Sequence, residues 1–476
     1  MWLWILKKAF VFLLSAIALI LMAFFLLGEA PEENDLQAAL TGKSIPSNPQ
    51  ARRTIVRQWR QIHGFEKPVF IFSLKPACVL PAFDSIPIYS ERQAVTSWAR
   101  KTGGGKEALS FYQKLVELEN LLHNEFNKKD TISLELKNLT AKILSTSDFE
   151  LLKVEMNSLK RNCALDTQLN ASKCKDSLLI AWYNLINNHF PFRNLIPVLR
   201  WHPDCRFLQW FWGSCDSPGL LRGNLGISLK DNRKVNVILF PRFRLTLLLS
   251  VLAIVIIFLT GYPAGLLILS APLFWKKIIT TIIYFFYSIP TFWMASLLLI
   301  LLGGGGLLDI FPSFGMGENQ NNLHFWEIII TKIHHLTLPL FCFSYGGFCF
   351  MATLTRELAE SEYQNFWILA VRAKGISHLR LMLKHVSPVI LLSIITTLGQ
   401  IFPTLMAGAV LIETIFSLPG LGELTFQSVL SGNYPVLMGI LLLSIAVTFI
   451  SFLISDVLCS IISPNFREDL IFYTRL

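Results

Sequence analysis

Charge is scarce in this chain. Only 16% of its 476 residues are Asp, Glu, Lys or Arg, against 53% hydrophobic ones, and the mean hydropathy is +0.50. That is too apolar for an ordinary soluble protein. Several enzyme signatures are also missing. No G-x4-G-K-[ST] run occurs: Gly303–Gly306 carries no lysine, and Gly105-Lys106 is followed by Glu107, so a phosphate-loop nucleotide site is excluded. Neither H-E-x-x-H nor G-x-S-x-G occurs, which removes the zincin and nucleophile-elbow hydrolase readings. C-x-x-C and H-x3-H spacings are absent, and the adjacency of His334 and His335 does not make a metal pair. Nothing in the sequence argues that this chain catalyses a reaction alone.

Long apolar runs are what the chain has instead. Lys7 and Lys8 precede a run from Ala9 to Leu27, long enough to cross a bilayer and long for a signal peptide. It reads as an uncleaved first span, with Gly28-Glu29-Ala30 a weak cleavage site. Five more spans are placed at Leu245–Leu269, Ile278–Leu302, Leu336–Leu354, Val389–Ile412 and Val436–Cys459. Residues 28–244 are of different material, with charges, Asn, Ser and Pro and no spanning run. The expected organisation is an N-terminus and first helix at 1–27, a large loop region at 28–244, and a five-helix core at 245–476.

The net charge of +10 could point to nucleic acid, but Lys- and Arg-rich cytoplasmic loops account for it more simply. With the N-terminus inside, the inside segments hold Lys7, Lys8, Lys276, Lys277, Arg356, Arg372, Lys374, Arg380, Lys384, Arg467 and Arg475, and the short outside loops hold only Lys332. This asymmetry puts both termini in the cytoplasm and residues 28–244 outside.

The chain is organised around one polar stretch between two spans, residues 355–388, reading TRELAESEYQNFWILAVRAKGISHLRLMLKHVSP. Phe366, Leu369 and Ala370 recur at helical spacing. Gly375 stands where a terminating glycine of positive φ belongs, just after Lys374. Ser377 can cap a second short helix, His378 to Val386, before Pro388. The result is a helix–glycine–helix elbow presenting Arg372, Lys374, Arg380, Lys384 and His385, either as a solvated cytoplasmic face or as a surface for a soluble partner.

The external region reads as mostly helical. Phe111, Leu115, Leu118 and Leu122 share one helical face, as do Leu136, Leu139 and Ile143. Ser147-x-x-Glu150 is a candidate capping box for a helix with Leu152, Met156 and Leu159 on one side. A lobe packed on itself and a docking surface are both open readings. Outside the cytoplasm disulfides are allowed, and Cys163–Cys174 and Cys205–Cys215 are neighbours in sequence, with Cys78 left over. Cys342, Cys349 and Cys459 read as small apolar residues inside spans. Gln400, Glu413 and Asp456 are costly in lipid and should face the bundle or water. Gln400 is the deeper and a candidate for a translocation path; Glu413 is a second candidate, although it and Asp456 lie near span ends where a structural role fits.

The elbow resembles the cytoplasmic coupling loop of bacterial ABC importer permeases, E-A-A-x-x-x-G-x9-I-x-L-P. Ala370, Gly375 and Pro388 fall on the motif, while Leu369, Val371, His385 and Ser387 depart from it. The run Arg372-Ala373-Lys374-Gly375, with His385 ten residues after the glycine, is similar to the variant in the dipeptide/oligopeptide branch, which usually has a proline where this chain has Ser393. Further pieces follow in the family's order: Gly64-Phe65-Glu66-Lys67-Pro68, Gly223-Asn224-Leu225-Gly226-Ile227-Ser228-Leu229, Ser288-Ile289-Pro290-Thr291-Phe292-Trp293, Ile310-Phe311-Pro312, His335-Leu336-Thr337-Leu338-Pro339, Glu413-Thr414-Ile415-Phe416, Pro419-Gly420-Leu421-Gly422, Asn433-Tyr434-Pro435, Asp456, and Ser463-Pro464-x-x-Arg467. Leu411-Ile412-Glu413 and Gly346-Gly347 lean toward the microcin C-type peptide permeases. Material at about 70–205 is an insert the family does not normally have.

The resemblance implies an all-α membrane protein with six transmembrane helices, the ABC importer type I permease fold, and a mostly helical extracytoplasmic insert. It implies a B-type permease subunit of an ATP-driven importer for dipeptides or oligopeptides in a bacterial inner membrane. Partners would be a second permease, two ABC ATPase subunits, an extracytoplasmic peptide-binding protein and membrane lipids, with no nucleic acid. This chain would hold no cofactor, since ATP and Mg would be bound by the ATPases. Ala370, Arg372, Ala373, Lys374, Gly375 and His385 would form the coupling loop. An intramembrane enzyme such as a protease, which needs a buried Ser/His or Asp/Asp pair facing water, and an ion-coupled carrier, which needs acids near the bilayer middle, are the alternatives.

Overall fold

The structure is a computed structural model that describes residues 2–28, 46, 48–124, 131–165, 173–187, 191–213, 218–305, 307–315 and 324–462. Both expected disulfides lie outside these residues, because the Cys174 side chain and Cys215 are not among them; so does the closing Ser463-Pro464-x-x-Arg467. The chain divides into two compact units, Met1–Leu21 with Asp231–Leu476, and Met22–Lys230.

In the second unit, Asn48 accepts a hydrogen bond from the Gln50 amide (2.9 Å) and Pro49 opens helix α2 (Pro49–Ile62), after the first span α1 (Trp2–Gly28). A side-chain acceptor and a first-turn proline are both suited to a helix start. Strand β1 (Phe72–Pro76) follows, then helices α3 (Tyr89–Thr102), α4 (Gly105–Asn124), α5 (Thr131–Ser145), α6 (Phe149–Leu165) and α7 (Lys173–Asn187). Their apolar faces meet in one core that includes Trp98, Phe111, Leu115, Leu118, Leu122, Leu136, Ile143, Leu152, Met156 and Leu159. The periodicity of the sequence predicts those faces, and burial of the aromatic and aliphatic stripes is what holds the lobe together. The capping box does not form. Asp148, not Ser147, accepts from the Glu150 amide (2.9 Å), and the Ser147 carbonyl accepts from Ser97 Oγ (2.6 Å). Asp is as good an N-cap as Ser, and it lies one residue nearer the first apolar position.

One charged cluster is buried beside this core. Arg53 Nη2 lies 2.7 Å from Glu91 and 2.6 Å from Glu119, and the Tyr112 hydroxyl donates to Glu91 (2.7 Å). Burial works to lower the Arg53 pKa, but the hydrogen bond to Glu91 and the charges of Glu91 and Glu119 raise it above its ordinary value. Burial, then the charge of Glu91, raises the Tyr112 phenol. Strand β2 (Pro197–Trp201) pairs antiparallel with β1, and helix α8 (Arg206–Trp212) follows it.

The first unit is a membrane bundle. Helix α9 (Val235–Ile256) continues through a π turn, Ile257–Gly261, into α10 (Tyr262–Ser270), so one apolar helix runs from Val235 to Ser270. It begins ahead of the expected Leu245, because Val235–Pro241 is apolar although Arg242 and Arg244 interrupt the run. Helices α11 (Leu273–Tyr287) and α12 (Thr291–Leu302) replace the expected single span Ile278–Leu302 and are bent by 91°. A proline kink is expected at Pro290; the observed change is a full break, because Ser288 closes one helix and Pro290 opens the next. The Tyr345 hydroxyl donates to the Ile289 carbonyl at the break (2.6 Å), supplying a partner for exposed backbone.

Helix α13 (Phe325–Tyr363) runs past both ends of the expected Leu336–Leu354 span. Helix α14 (Phe366–Ala373) and the short α15 (His378–Leu381) form the elbow, and α16 (Ser387–Ile415), α17 (Leu421–Leu430) and α18 (Tyr434–Ile462) follow. Among the described residues, five helices are long and apolar enough to cross a membrane, six crossings if the bent α11–α12 pair counts as one. Helices α16 and α18 pack closely through small residues: Ser451 Oγ donates to the Gly399 carbonyl (2.7 Å) and Ser455 Oγ to the Ile395 carbonyl (3.1 Å). Helix α1 lies against α18, with Phe12 stacked on Phe449 (centroids 4.2 Å apart) and Lys8 ion-paired with Asp456. As residue numbers rise along α1 they fall along α18, so the helices are antiparallel and the start of α1 sits beside the end of α18.

Candidate functional site

The elbow is built around one glycine. Gly375 has φ +74°, and a Cβ placed on it would meet nothing within 4 Å. The position therefore requires glycine for backbone conformation and not for space. Its amide donates to the Arg372 carbonyl (2.9 Å), closing α14. Ser377 occupies the N-cap of α15 as expected, but its side chain makes no capping bond. The second helix does not stop before Pro388. A π turn, Met382–Val386, joins α15 to α16, and His378 to Ile415 is one continuous helix. Pro388 falls in the first turn of α16, beside the wide turn that absorbs its missing N–H.

The elbow is anchored from inside and open outside. Ile368, Leu381, Met382, Val386 and Ile390 are buried with Leu266 and Ala359. Arg372 lies over the Tyr363 ring (4.9 Å), and the His378 ring is 5.4 Å from the same tyrosine. Tyr363 thus clasps the two sides of the elbow, a role the sequence reading did not single out. Ala370, Arg372, Ala373, Lys374 and Gly375 are exposed, and His385 in the π turn is half-buried. Between the basic residues stand exposed apolar ones: Phe366 at 89% exposure, with Trp367, Leu369, Leu379 and Leu383. The abrupt change from Gln364-Asn365 to Phe366-Trp367 is the sequence signal for the first two of them.

The two path candidates fall in different surroundings. Gln400 is exposed along α16, whereas Glu413 is fully buried. The structure does not bring them to one surface. Glu413 accepts from Thr246 Oγ1 (2.6 Å), the Gly422 amide (2.6 Å) and the Glu423 amide (3.2 Å). Thr246 Oγ1 in turn accepts from the Leu421 amide (2.8 Å). The carboxylate and the hydroxyl together cap the N-terminus of α17, where unpaired amides and the helix dipole favour negative charge. A Cβ on Gly420 would overlap the Glu413 carboxylate, and one on Gly422 the Val410 backbone. The spacing Glu413…Gly420-Leu421-Gly422 is therefore one physical unit, an acid and the glycines that admit it. Nearby, an open cleft of about 850 Å³ at the start of α9 is lined by Asp231, Arg233, Arg242, Arg244 and Pro419. Arg242 pairs with Glu423 (3.3 Å), tying the cleft to the capped helix.

Residues 257–468 match the family described as the binding-protein-dependent transport system inner membrane component. These residues carry the likeness to that family. The matched stretch contains the elbow, Glu413 and the start of α17; Thr246 and the insert at about 70–205 lie outside it. The permease is similar to the oligopeptide transport system permease protein AppB of Bacillus subtilis, 28% identical over 55% of this chain and 79% of that one. It is also similar to the dipeptide transport system permease protein DppB of Escherichia coli K12, 27% identical over 55% of this chain and 80% of that one. The peptidoglycan transport system permease protein YejB of Agrobacterium fabrum is 33% identical over 33% of this chain, which spans 44% of that relative. These relatives are named as transport permeases and not as enzymes. Among solved structures, the inward-facing MetNI methionine ABC transporter aligns with a TM-score of 0.39 and 17% identity, over 48% of this chain and 96% of that one.

Proposed function

We propose that this permease is one of two membrane subunits of an ATP-driven importer for dipeptides or oligopeptides. The observation that carries the reading is the elbow: a glycine-hinged pair of helices, fixed internally by Ile368 and Leu381 and by the Tyr363 clasp, that leaves a mixed basic and apolar surface open. Such a surface fits a cleft on a soluble partner, with apolar side chains supplying burial and basic ones supplying orientation. The partner is an ABC ATPase pair, which binds ATP and Mg; a second permease completes the path, and an external binding protein delivers the peptide. Both termini are cytoplasmic and residues 28–244 are external. Gln400, exposed on α16, faces the second permease across the path, and Glu413 serves the path indirectly by fixing the cap of α17. Peptide as the substrate class is supported by the likeness to the oligopeptide permease AppB and the dipeptide permease DppB. The test is isolation of the intact complex from membranes and measurement of ATP hydrolysis with and without peptide-loaded binding protein. Stimulation by peptide is expected; a complex that contains no ATPase would overturn the reading.

A further inference from the structure

The two-stranded sheet of the external unit is inside out. Register pairs Phe72 with Trp201 and Leu74 with Leu199, while Ser73 faces Arg200 and Lys75 faces Val198. In a half-buried antiparallel pair the apolar set faces the core and the polar set faces water. Here the apolar set is open, with Phe72, Leu74, Leu199 and Trp201 at 50, 69, 68 and 71% exposure. The alternate set is the one engaged by the protein: Ser73 Oγ meets His202 Nε2 (2.9 Å) and Lys75 pairs with Asp84 (3.1 Å). Phe192 and Leu195, just before β2 in the chain, are also open, at 76% exposure each. Period-two alternation fixes which face each residue takes, so this patch follows from the register and not from loose side chains.

The patch is continuous with a membrane span inside the same compact unit. Phe24, in the last turns of α1, meets Phe207 of α8 (centroids 5.4 Å apart) and Trp210 (5.8 Å). Phe207 meets Phe70 (5.6 Å), and Phe70 meets Phe72 on the sheet (5.1 Å). An unbroken chain of aromatic rings thus leads from the end of a lipid-crossing helix to the open sheet face. Trp and aromatic rings at such a level are the residues that settle at a bilayer's headgroup boundary.

We propose that the β1–β2 face lies on the lipid bilayer, with Phe72, Leu74, Leu199 and Trp201 seated at the boundary between headgroups and acyl chains. The occupant is lipid, on whichever side of the membrane the unit stands.

The test places a photoreactive benzoylphenylalanine at position 74, 199 or 201 of the full chain in native membranes, with position 150 as the control. Glu150 is an exposed residue of the lobe, outside the sheet. Irradiation is expected to give phospholipid adducts at 74, 199 and 201, at least fivefold above position 150. Adducts to a binding protein or to a second permease at these positions would overturn the proposal, as would lipid labelling equal to that at position 150. Because all three sites are exposed, misfolding is not expected; a dye at position 199 provides the second measurement. Its quenching by brominated lipid should exceed that at position 150 at least twofold, and the Leu74→Ser, Trp201→Ser variant should reduce that difference. Equal quenching at the two positions would overturn the proposal.

Discussion

At the scale of single residues, Gly375 and Glu413 carry the sharpest expectations. Gly375 is open on all sides, so its replacement is penalised by backbone conformation alone. Valine at a positive φ is strained by about 1–3 kcal/mol, whereas asparagine tolerates the left-handed region. Peptide-stimulated ATP hydrolysis should therefore fall strongly in Gly375→Val, little in Gly375→Asn, and little in Lys374→Ala, since an exposed charge pair contributes ~0–1 kcal/mol. Insertion of the mutant chains, read by membrane fractionation, should be normal in all three. Glu413 poses the opposite case, a buried acceptor whose loss leaves amides unsatisfied. Glu413→Ala should lower stability in detergent by about 2–4 kcal/mol, from more than one stranded donor at roughly 1–3 kcal/mol each. Gly420→Ala displaces the same carboxylate. The double substitution should thus be far less damaging than the two single effects added, and unfolding midpoints for the four proteins would measure the coupling.

At the scale of elements, much of the architecture was legible before any coordinates. Helices in the lobe declared themselves because Phe111, Leu115, Leu118 and Leu122 keep one period and all end in one core. The positive φ of Gly375 was legible because a glycine after Lys374 has a single common use. Other features were not. The α11–α12 break depends on Ser288 and Pro290 closing and opening helices together, which a lone proline does not announce. The fusion of α15 with α16 depends on a π turn, which has no periodic signature. The Glu413 cap joins residues from three separate helices, so no local pattern contains it. The lobe also offers a pH test. Tyr112 is raised above its ordinary value of 10.0, by burial and then by the charge of Glu91. A raised folded-state pKa gives stability that is complete below pH 10.0 and lost as pH climbs toward the folded value. Protease resistance of the lobe in membrane vesicles should therefore fall above about pH 10, and that alkaline loss should flatten in Tyr112→Phe.

At the scale of the whole molecule, the first and the last described helices meet at two points. Lys8 and Asp456 pair, Phe12 stacks on Phe449, and the start of the first helix and the end of the last lie on one side of the bilayer. Reporter fusions after residue 462 and before residue 7 should report the same compartment, and a fusion within 100–200 the other. An external C-terminus with a cytoplasmic N-terminus would contradict the helix pairing itself. The ion pair has its own signature. Lys8→Asp and Asp456→Lys should each reduce folded yield in membranes, and the exchange of both should recover part of it.

That meeting of distant residues sets a timetable for biosynthesis. At ~5–20 residues per second, a ribosome needs about 20–90 s to travel from Phe12 to its stacking partner in the last helix. For all of that interval the first helix waits in the bilayer beside whatever else is there, because the ring that Phe12 stacks on has not yet been made. A chain that stalls anywhere before Phe449 never gains this contact, however well its earlier parts have folded.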